Sequence, residues 1–328
     1  MIAECRLQSA ECRVGRNAAR SLAERVLLHS ALCILHSALV SVPPATAQQS
    51  QLRMTIETLS PGLYLIHGYA NGNILVIEGS NELLLVDAQS DRRVGLADSA
   101  LRTITSKPVR QVIFTHYHDD HTWGMPHWRQ TGARAVGHGT LAWEMGKDTT
   151  ITDWENWHRT PAPAGSKPDL GFTDSLEIQV DDKRVLVYHI PPAHTNGDAI
   201  VYLSWANLLH TGDLVEPGAP PFIDYWVGGS LDGMIRAADR ILAIVNDQTR
   251  IVPGHGSVVD RKTVVEHRRM LVTLRERIGA AIKAGKTLEQ IQADAPAREF
   301  EGLLGGPRGA TRFVRVVHYG LAREARVP

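Results

Sequence analysis

Cysteine is scarce in this chain of 328 residues, and the three that occur, Cys5, Cys12 and Cys33, all precede residue 47. The rest of the sequence therefore offers no disulfide and no thiolate that could bind a metal ion. An excess of positive charge is also lacking, because Lys+Arg and Asp+Glu number 35 each. Without such an excess nothing attracts a polyanion, so we expect a small-molecule substrate and no nucleic-acid partner.

A nucleophilic serine motif is missing as well, since no G-x-S-x-G occurs. Together with the lack of cysteine, this disfavours a hydrolase that forms a covalent intermediate on its own side chain. The hydrophobic fraction of 43% is nevertheless ample for a sizeable core. Any catalysis is therefore expected to depend on bound groups rather than on a side-chain nucleophile.

Residues 1–47 have the composition of a secretory signal, although residues 1–17 are a long lead for one. Arginines precede an apolar run over residues 26–42, and Ala45-Thr46-Ala47 provides an A-x-A cleavage site. The run is short for a membrane span; a short anchor or a core helix is the alternative. We predict cleavage near Ala47 and a periplasmic or secreted mature protein without a membrane span.

The densest group of potential ligands is the stretch Thr115-His116-Tyr117-His118-Asp119-Asp120-His121, which follows the apolar run Val112-Ile113-Phe114. Imidazoles and carboxylates crowded together rarely tolerate burial unless something binds them. His116 and His118 point the same way in an extended segment, whereas Asp120 and His121 can address a second point nearby. The stretch predicts a metal site in a loop between a strand and a helix.

This stretch resembles the H-x-H-x-D-H motif of the metallo-β-lactamase superfamily. Three further motifs similar to those of the superfamily follow in the same order, and they are Ala193-His194-Thr195-Asn196-Gly197-Asp198, His210-Thr211-Gly212-Asp213-Leu214 and Val252-Pro253-Gly254-His255-Gly256. The resemblance covers roughly residues 53–270. It implies an α/β fold, namely an αββα sandwich of two mixed β-sheets flanked by helices.

The resemblance also implies a site for two metal ions. The ligands of the first ion would be His116, His118 and His194, those of the second Asp120, His121 and His255, and Asp213 would bridge the two. Nitrogen and oxygen ligands of this kind suit Zn²⁺ and also admit iron or manganese. Asp87 and Asp198 are predicted to hydrogen-bond the imidazoles of ligands, with capping of a strand end as an equal alternative.

A dinuclear-zinc hydrolase is the function that this ligand set implies. A hydroxide bridging the metals would attack an activated carbonyl of a lactone, β-lactam or thioester, with Asp120 as the catalytic residue that orients it and later passes a proton. Aspartate at position 213 is similar to glyoxalase II, lactonases and RNase Z, whereas true β-lactamases generally carry Cys or Ser there. A β-lactamase proper, a hydroxyacylglutathione hydrolase and a mono-iron persulfide dioxygenase remain alternatives.

Hydrophobic patterns predict how the chain is organised around these motifs. Alternating runs between residues 55 and 87 predict four antiparallel strands, and residues 175–211 contain a second set. We place the metal-binding domain at residues 48–260 and a helical extension of the same domain at 261–328. The sequence gives no indication of the oligomeric state.

Residues 148–172 lack an apolar period, which predicts a long loop. It is interpreted either as a substrate flap or as a surface excursion anchored by its tryptophans. Together with residues 216–228 it would provide an apolar rim for a small ring or acyl chain. The predicted substrate-binding residues of this rim are Trp154, Trp157, Phe222, Tyr225 and Trp226.

Overall fold

The computed structural model describes residues 54–69 and 71–325, so the predicted signal at 1–47 and its cleavage near Ala47 lie outside the described residues. Two β-sheets pack face to face, and helices cover the outer face of each. The predicted αββα sandwich of the α/β class is thereby confirmed. A search of the described helices finds none that is both long and apolar enough to cross a membrane.

In the described part of the chain, the first sheet has seven strands in the spatial order β1-β2-β3-β4-β5-β6-β9. The bounds are β1 (Thr55–Ser60), β2 (Leu63–His67), β3 (Ile74–Glu78), β4 (Leu83–Val86), β5 (Val109–Ile113), β6 (Arg134–His138) and β9 (Leu170–Phe172). Strands β1 to β4 form the predicted antiparallel meander. The sheet continues in parallel from β4 through β5 and β6 to β9.

The second sheet follows later in the chain and has the order β10-β11-β12-β13-β14. Its strands are β10 (Ser175–Val180), β11 (Lys183–His189), β12 (Ala199–Leu203), β13 (Leu208–Gly212) and β14 (Arg250–Pro253). The first four are antiparallel neighbours, and β14 pairs in parallel with β13. Both sheets are therefore mixed, as the resemblance implies.

Helices connect the strands and close the chain. They are α1 (Val94–Leu101), α2 (Asp119–Thr122), α3 (Met125–Trp128), α4 (Leu141–Glu144), α5 (Leu231–Ile244), α6 (Arg261–Lys283), α7 (Leu288–Ala293) and α8 (Pro307–Glu324). Side-chain hydrogen bonds fix several of their beginnings. Ser230 accepts from the backbone N–H of Gly233 at the start of α5, and Asp260 accepts from Thr263 at the start of α6.

Strand β3 shows why the first sheet needs a layer on both of its faces. Leu75 and Ile77 belong to the cluster between the two sheets, whereas Ile74 and Val76 belong to the cluster beneath the helices. Successive side chains of a strand point to opposite faces, so a strand that is apolar at every position must be buried on both. Each such side chain stabilises the fold by about 1.5–3 kcal/mol.

The C-terminal helices share a hydrophobic core with the second sheet. Phe313 and Val317 of α8 lie in one cluster with Met234 and Ile241 of α5 and with Leu209 of strand β13. All five side chains are fully buried. Helices α5 and α8 therefore pack into the same core as the second sheet, which they cover.

Residues 148–172 are not the continuous loop that the sequence predicts. Strands β7 (Thr149–Ile151) and β8 (Trp157–Arg159) form a hairpin, and β9 pairs with β6 as the last strand of the first sheet. The prediction was wrong for these nine residues because three-residue strands are too short to show an apolar alternation.

The shared core predicts a large effect of a mutation far from the metal-site motifs. Phe313→Ala is expected to lower the free energy of unfolding by about 3–5 kcal/mol because it leaves a cavity among buried side chains. Denaturant unfolding followed by circular dichroism measures this, with Trp143→Ala as control, since Trp143 is 73% exposed. A loss no larger than that of the control would contradict a common core.

Candidate metal centre

Loops at one edge of the two sheets carry the candidate ligands. Strands β5, β13 and β14 end shortly before His116, Asp213 and His255, and His194 lies in the loop that precedes β12. Strands that run parallel within a sheet bring their carboxyl ends to the same edge, which is where ligands bind in open α/β sheets. Residues far apart in the sequence thus meet here.

Backbone hydrogen bonds join these loops to one another. The N–H of Ala199 donates to the carbonyl of Thr115 over 2.7 Å, and the N–H of Gly254 donates to Gly212 over 2.8 Å. A Cβ on Gly254 would lie 1.9 Å from Oδ1 of Asp213, so only glycine permits this approach. The Pro-Gly-His sequence is therefore needed for packing as well as for its histidine.

Two groups of donor atoms converge at this edge. In the first, Nδ1 of His118 lies 3.0 Å from Nε2 of His116 and 3.0 Å from Nε2 of His194. In the second, Nε2 of His255 lies 3.2 Å from Nε2 of His121, and 3.2 Å from Oδ2 of Asp120. The two groups are the sets of three that the resemblance implies.

Asp213 lies between the two groups. Its Oδ2 atom is 3.7 Å from Nε2 of His116 and of His194 and 3.3 Å from Nε2 of His255. Its Oδ1 atom is 3.5 Å from Nε2 of His121 and, although buried, has no hydrogen-bond partner among the described residues. A buried carboxylate oxygen without a partner is costly, and a cation beside it would remove that cost.

The outer nitrogen of each ring shows which inner nitrogen carries a lone pair. Nδ1 of His194 is 2.8 Å from the carbonyl oxygen of Phe222, and Nδ1 of His121 is 2.7 Å from Oδ2 of Asp87. A carbonyl and a carboxylate only accept, so these Nδ1 atoms must carry the protons. In the neutral rings Nε2 then faces the centre as an acceptor.

The same argument applies to the rings of His118 and His116. Oδ2 of Asp224 accepts from Nε2 of His118 at 3.3 Å, which leaves Nδ1 as the inner acceptor. The hydroxyl of Thr115 donates to Asp87 over 2.8 Å, so its oxygen accepts from Nδ1 of His116 at 3.0 Å. Such outer partners fix the orientation of imidazoles that bind metals.

The inner atoms of His116, His118 and His194 are acceptors about 3 Å apart that cannot hydrogen-bond to one another while the rings are neutral, and a cation among them is the ordinary solution. A tetrahedral zinc ion with Zn–N bonds of about 2.0–2.1 Å separates its ligands by about 3.3 Å. The spacing of the inner atoms therefore fits a divalent metal in each group, which is the result that the side-chain chemistry predicts.

Electrostatics place the acidic groups in the form that binds cations. Burial alone would raise the pKa of Asp120, but the rings of His121 and His255 lower it to about 2. Burial lowers the pKa of His194 to about 4, so this ring is neutral at pH 7. Although burial opposes it, the carboxylates of Asp120 and Asp213 raise the pKa of His121 to about 9 and that of His255 to about 12. Neutral imidazoles are the species that ligate metals, so a metal ion that binds these two rings must displace their protons.

Comparison with known proteins agrees with the geometry. Residues 67–255, more than half of the chain, match the family model described as the metallo-beta-lactamase superfamily. The chain belongs to this superfamily. With its His/Asp metal site the protein is a metal-dependent hydrolase of the superfamily.

Curated relatives of this superfamily member are bacterial enzymes. The metallo-beta-lactamase type 2 of Bacteroides fragilis is 21% identical over 206 residues, which are 62% of this chain and 75% of the relative. That of Bacillus cereus is 26% identical over 204 residues, with coverage of 59% and 72%. The family match ends at residue 255, before helices α6 to α8.

Two solved structures of the same fold match different shares of this chain. A metallo-beta-lactamase from Pontibacter korlensis has a TM-score of 0.55 and 19% identity, and covers 67% of this chain and 99% of that chain. The stereoselective inverting sec-alkylsulfatase Pisa1 from Pseudomonas has a TM-score of 0.60 and 16% identity, with coverage of 84% and 52%. At such identities the likeness concerns the fold.

Asp87 and Asp198, predicted as partners of ligand imidazoles, differ in their contacts. Asp87 accepts from the ring of His121. Asp198 instead accepts from the backbone N–H groups of His194 and Thr195, over 2.8 and 2.9 Å, just before strand β12, which agrees with the predicted alternative of capping at a strand end. Asp198 therefore stabilises the loop rather than a ring, since its carboxylate accepts from backbone N–H groups three and four residues before it.

Two of the five predicted rim residues lie beside the metal centre of this superfamily member. The ring centre of Phe222 is 5.9 Å from that of His118, and Trp157 packs edge-on against Phe222 at 5.8 Å. Trp157 also lines a cavity of about 140 Å³ to which His118 contributes. This cavity therefore adjoins the metal centre on the side of His118.

The other three rim residues pack against helix α8. Ring centres of Trp154, Tyr225 and Trp226 lie 5.2, 5.8 and 5.3 Å from that of Tyr319. Their rings anchor the hairpin and the 216–228 segment onto the C-terminal helix, and Trp226 also packs edge-on against Trp157 at 6.0 Å, so their part in a substrate rim stays a prediction. Large aromatic rings contribute most by burial, and the sequence did not show that α8 was there to bury them.

Sequence reasoning missed several residues of the site. Thr115 and Asp224 orient ligand rings, and Glu216 lies near Asp213 and His255. Burial and the charge of Asp213 raise the pKa of Glu216 well above its ordinary value. The positions of Thr115 and Glu216, in or beside ligand motifs, could have signalled them, whereas no motif lies next to Asp224.

Asp87 provides a test of how far the outer partners support metal binding. Asp87→Ala is expected to weaken zinc binding about 10–100-fold, because His121 loses the acceptor that orients it. Competition with a fluorescent chelator measures the affinity, and Asp87→Asn retains the shape of the side chain if the alanine variant folds poorly. Asp91→Ala, an exposed control four residues on, should bind zinc normally. Equal affinities of Asp87→Ala and the control would show that Asp87 does not support the site.

Proposed function

We propose that the protein is a dinuclear-zinc hydrolase that opens an activated carbonyl bond of a small substrate outside the cytoplasm. A lactone, a β-lactam or a thioester supplies such a bond. The observation that supports this most strongly is the arrangement of seven donor atoms in two groups with the Asp213 carboxylate between them. Two cations a few ångströms apart need an anionic bridge to lessen their repulsion.

Each group of side chains would hold one ion. The proposed ligands are His116, His118 and His194 for the first ion, Asp120, His121 and His255 for the second, and Asp213 for both. When bound, zinc ions lower the pKa of water to about 7 and polarise a carbonyl oxygen. Zinc suits nitrogen and oxygen ligands, and iron or manganese would fit the same set less specifically.

Asp120 is the catalytic residue in this proposal. Its carboxylate is ionised at neutral pH, since its pKa is about 2, and it is the only partly exposed acid of the seven ligands. It can therefore accept a hydrogen bond from the attacking water and orient it towards the substrate carbonyl. The same carboxylate could then carry the proton to the leaving group.

Bonds with good leaving groups suit this site best. Asp120 is the acid that the proposal provides for the leaving group, and its low pKa makes it a weak proton carrier, so a poor leaving group would not be protonated readily. The walls formed by Trp157 and Phe222 are apolar and would accommodate a ring or short acyl chain. Strained and activated acyl groups therefore fit the chemistry.

Metal content tests the dinuclear arrangement. The purified protein is expected to hold close to two zinc ions per chain by elemental analysis, and Asp213→Ala fewer than two, because the cations then repel each other without a bridge. Asp119→Ala is the matched control, since Asp119 is exposed in the same loop. No more than one equivalent after zinc supplementation contradicts the proposal, and one iron without zinc favours the persulfide dioxygenase alternative.

A substrate panel tests the class of bond. Nitrocefin, a carbapenem, an N-acyl-homoserine lactone, S-lactoylglutathione and bis-p-nitrophenyl phosphate are offered to the zinc-loaded enzyme, together with a secondary alkyl sulfate because sec-alkylsulfatases share the fold. At least one acyl substrate is expected to be hydrolysed, and His116→Ala to abolish this activity. Turnover of the phosphodiester or the sulfate alone, abolished by the same mutation, would show that the acyl assignment is wrong.

A further inference from the structure

We propose that the buried guanidinium of Arg159 forms a subsite for an anionic group of the substrate, such as a carboxylate. The inference deepens the proposed function, because it concerns which small acyl substrates the centre accepts. Arg159 is only 7% exposed and lies at the end of the β7–β8 hairpin, outside the four ligand motifs.

Arg159 and the metal centre face the same cavity. This is the 140 Å³ cavity beside the centre, and both Arg159 and His118 line it. The ring of Tyr117 connects them, since its centre is 4.8 Å from the guanidinium carbon and 4.6 Å from the centre of the His118 ring. A molecule in the cavity can therefore contact the cation and the metal-site wall at the same time.

Most of the hydrogen-bonding capacity of Arg159 is unused. Its Nη2 atom donates to Glu144, to the backbone oxygen at 3.4 Å and to Oε2 at 3.3 Å. Its Nε and Nη1 atoms donate to none of the residues between 54 and 325 that the structure describes, and neither of them is a fully buried unpartnered atom. The planar donor fork of arginine matches a carboxylate, so these free donors suit an anion in the cavity.

Glu144, the carboxylate that Arg159 contacts, is shared with other donors. It is nearly buried, and Lys147 is 2.9 Å from the same Oε2 atom that Arg159 contacts. The amide of Asn196 donates to Oε1 of Glu144 as well. The other buried acid of this region, Asp224, accepts from Tyr117 and His118 and makes no hydrogen bond to Arg159 among the described residues. Neither carboxylate therefore occupies the Nε and Nη1 donors of Arg159.

A purely structural arginine looks different in this protein. Each of the three nitrogens of Arg129 donates to the protein, to Gly165, to Lys167 and to both oxygens of Asp169. That side chain ties together two segments and has no donor nitrogen left unused. Arg159 uses one nitrogen of three in hydrogen bonds to the described residues, and its other two nitrogens are accessible rather than sealed in the core.

The test uses benzoate and benzamide, which have nearly the same shape and differ in charge. Isothermal titration of the zinc-loaded protein is expected to show tighter binding of benzoate. Arg159→Gln should raise the dissociation constant of benzoate by about tenfold or more, because a hydrogen-bonded charge pair is lost. Binding of benzamide should change little, and Arg129→Gln should leave both unchanged.

Arg159→Lys keeps the charge without the donor fork and is expected to lie between wild type and Arg159→Gln in benzoate affinity. It also serves if the glutamine variant folds poorly, which its thermal unfolding will reveal. An equal loss for benzoate and benzamide would indicate a structural role and overturn the proposal. So would a wild-type protein that does not discriminate between the two.

These outcomes are independent of the proposed reaction. A wild-type protein that hydrolyses an acyl substrate but does not bind benzoate more tightly than benzamide rejects the subsite alone. Absence of acyl hydrolysis with benzoate binding that still depends on Arg159 rejects the reaction alone. Benzoate that binds only to the metal ions would be unaffected by Arg159→Gln, which again overturns the subsite.

Discussion

Mutual repulsion among inward-facing acceptors is the constraint on which this structure depends. Nδ1 of His118 lies 3.0 Å from Nε2 of His116 and 3.0 Å from Nε2 of His194, so the lone pairs of these atoms face one another. Asp213 adds a buried carboxylate oxygen without a partner among the described residues. No arrangement of protons satisfies all of these atoms, because the outer nitrogens already carry them. A cation resolves the conflict, so folding and metal binding are expected to be linked in this chain.

The sandwich makes that conflict tolerable by holding the loops from both sides. Backbone bonds tie the loop of Thr115 to strand β12 and the loop of Gly254 to Gly212, while Asn73 donates to the carbonyls of Pro253 and Gly256. Asn73, just before strand β3 of the first sheet, thereby fixes the His255 loop, which follows strand β14 of the second sheet. Ligands held by rigid neighbours lose little entropy on binding, which is the benefit of building the site at strand ends.

The seven donors were predicted from the resemblance that four motifs carry, and the structure brings these seven side chains together at one edge of the sheets. The alternating pattern likewise predicted the meander, since strands β2 to β4 are long enough to show it. Contacts that depend on the tertiary fold could not be predicted. Asp224 reaches His118 from a Pro-rich segment 106 residues away, and Trp154 turns towards a helix near the end of the chain. Neither has a local pattern that reveals its partner.

One carboxylate connects the two halves of the proposed active site. Asp224 accepts from Nε2 of His118, a candidate metal ligand, and from the hydroxyl of Tyr117. The guanidinium of Arg159 lies over the ring of the same tyrosine. Any movement of Tyr117 on substrate binding would therefore alter the acceptor that orients His118. Networks of this kind transmit small displacements because their hydrogen bonds share atoms. Substrate selection and metal geometry are thus expected to be coupled through Asp224 rather than to vary independently.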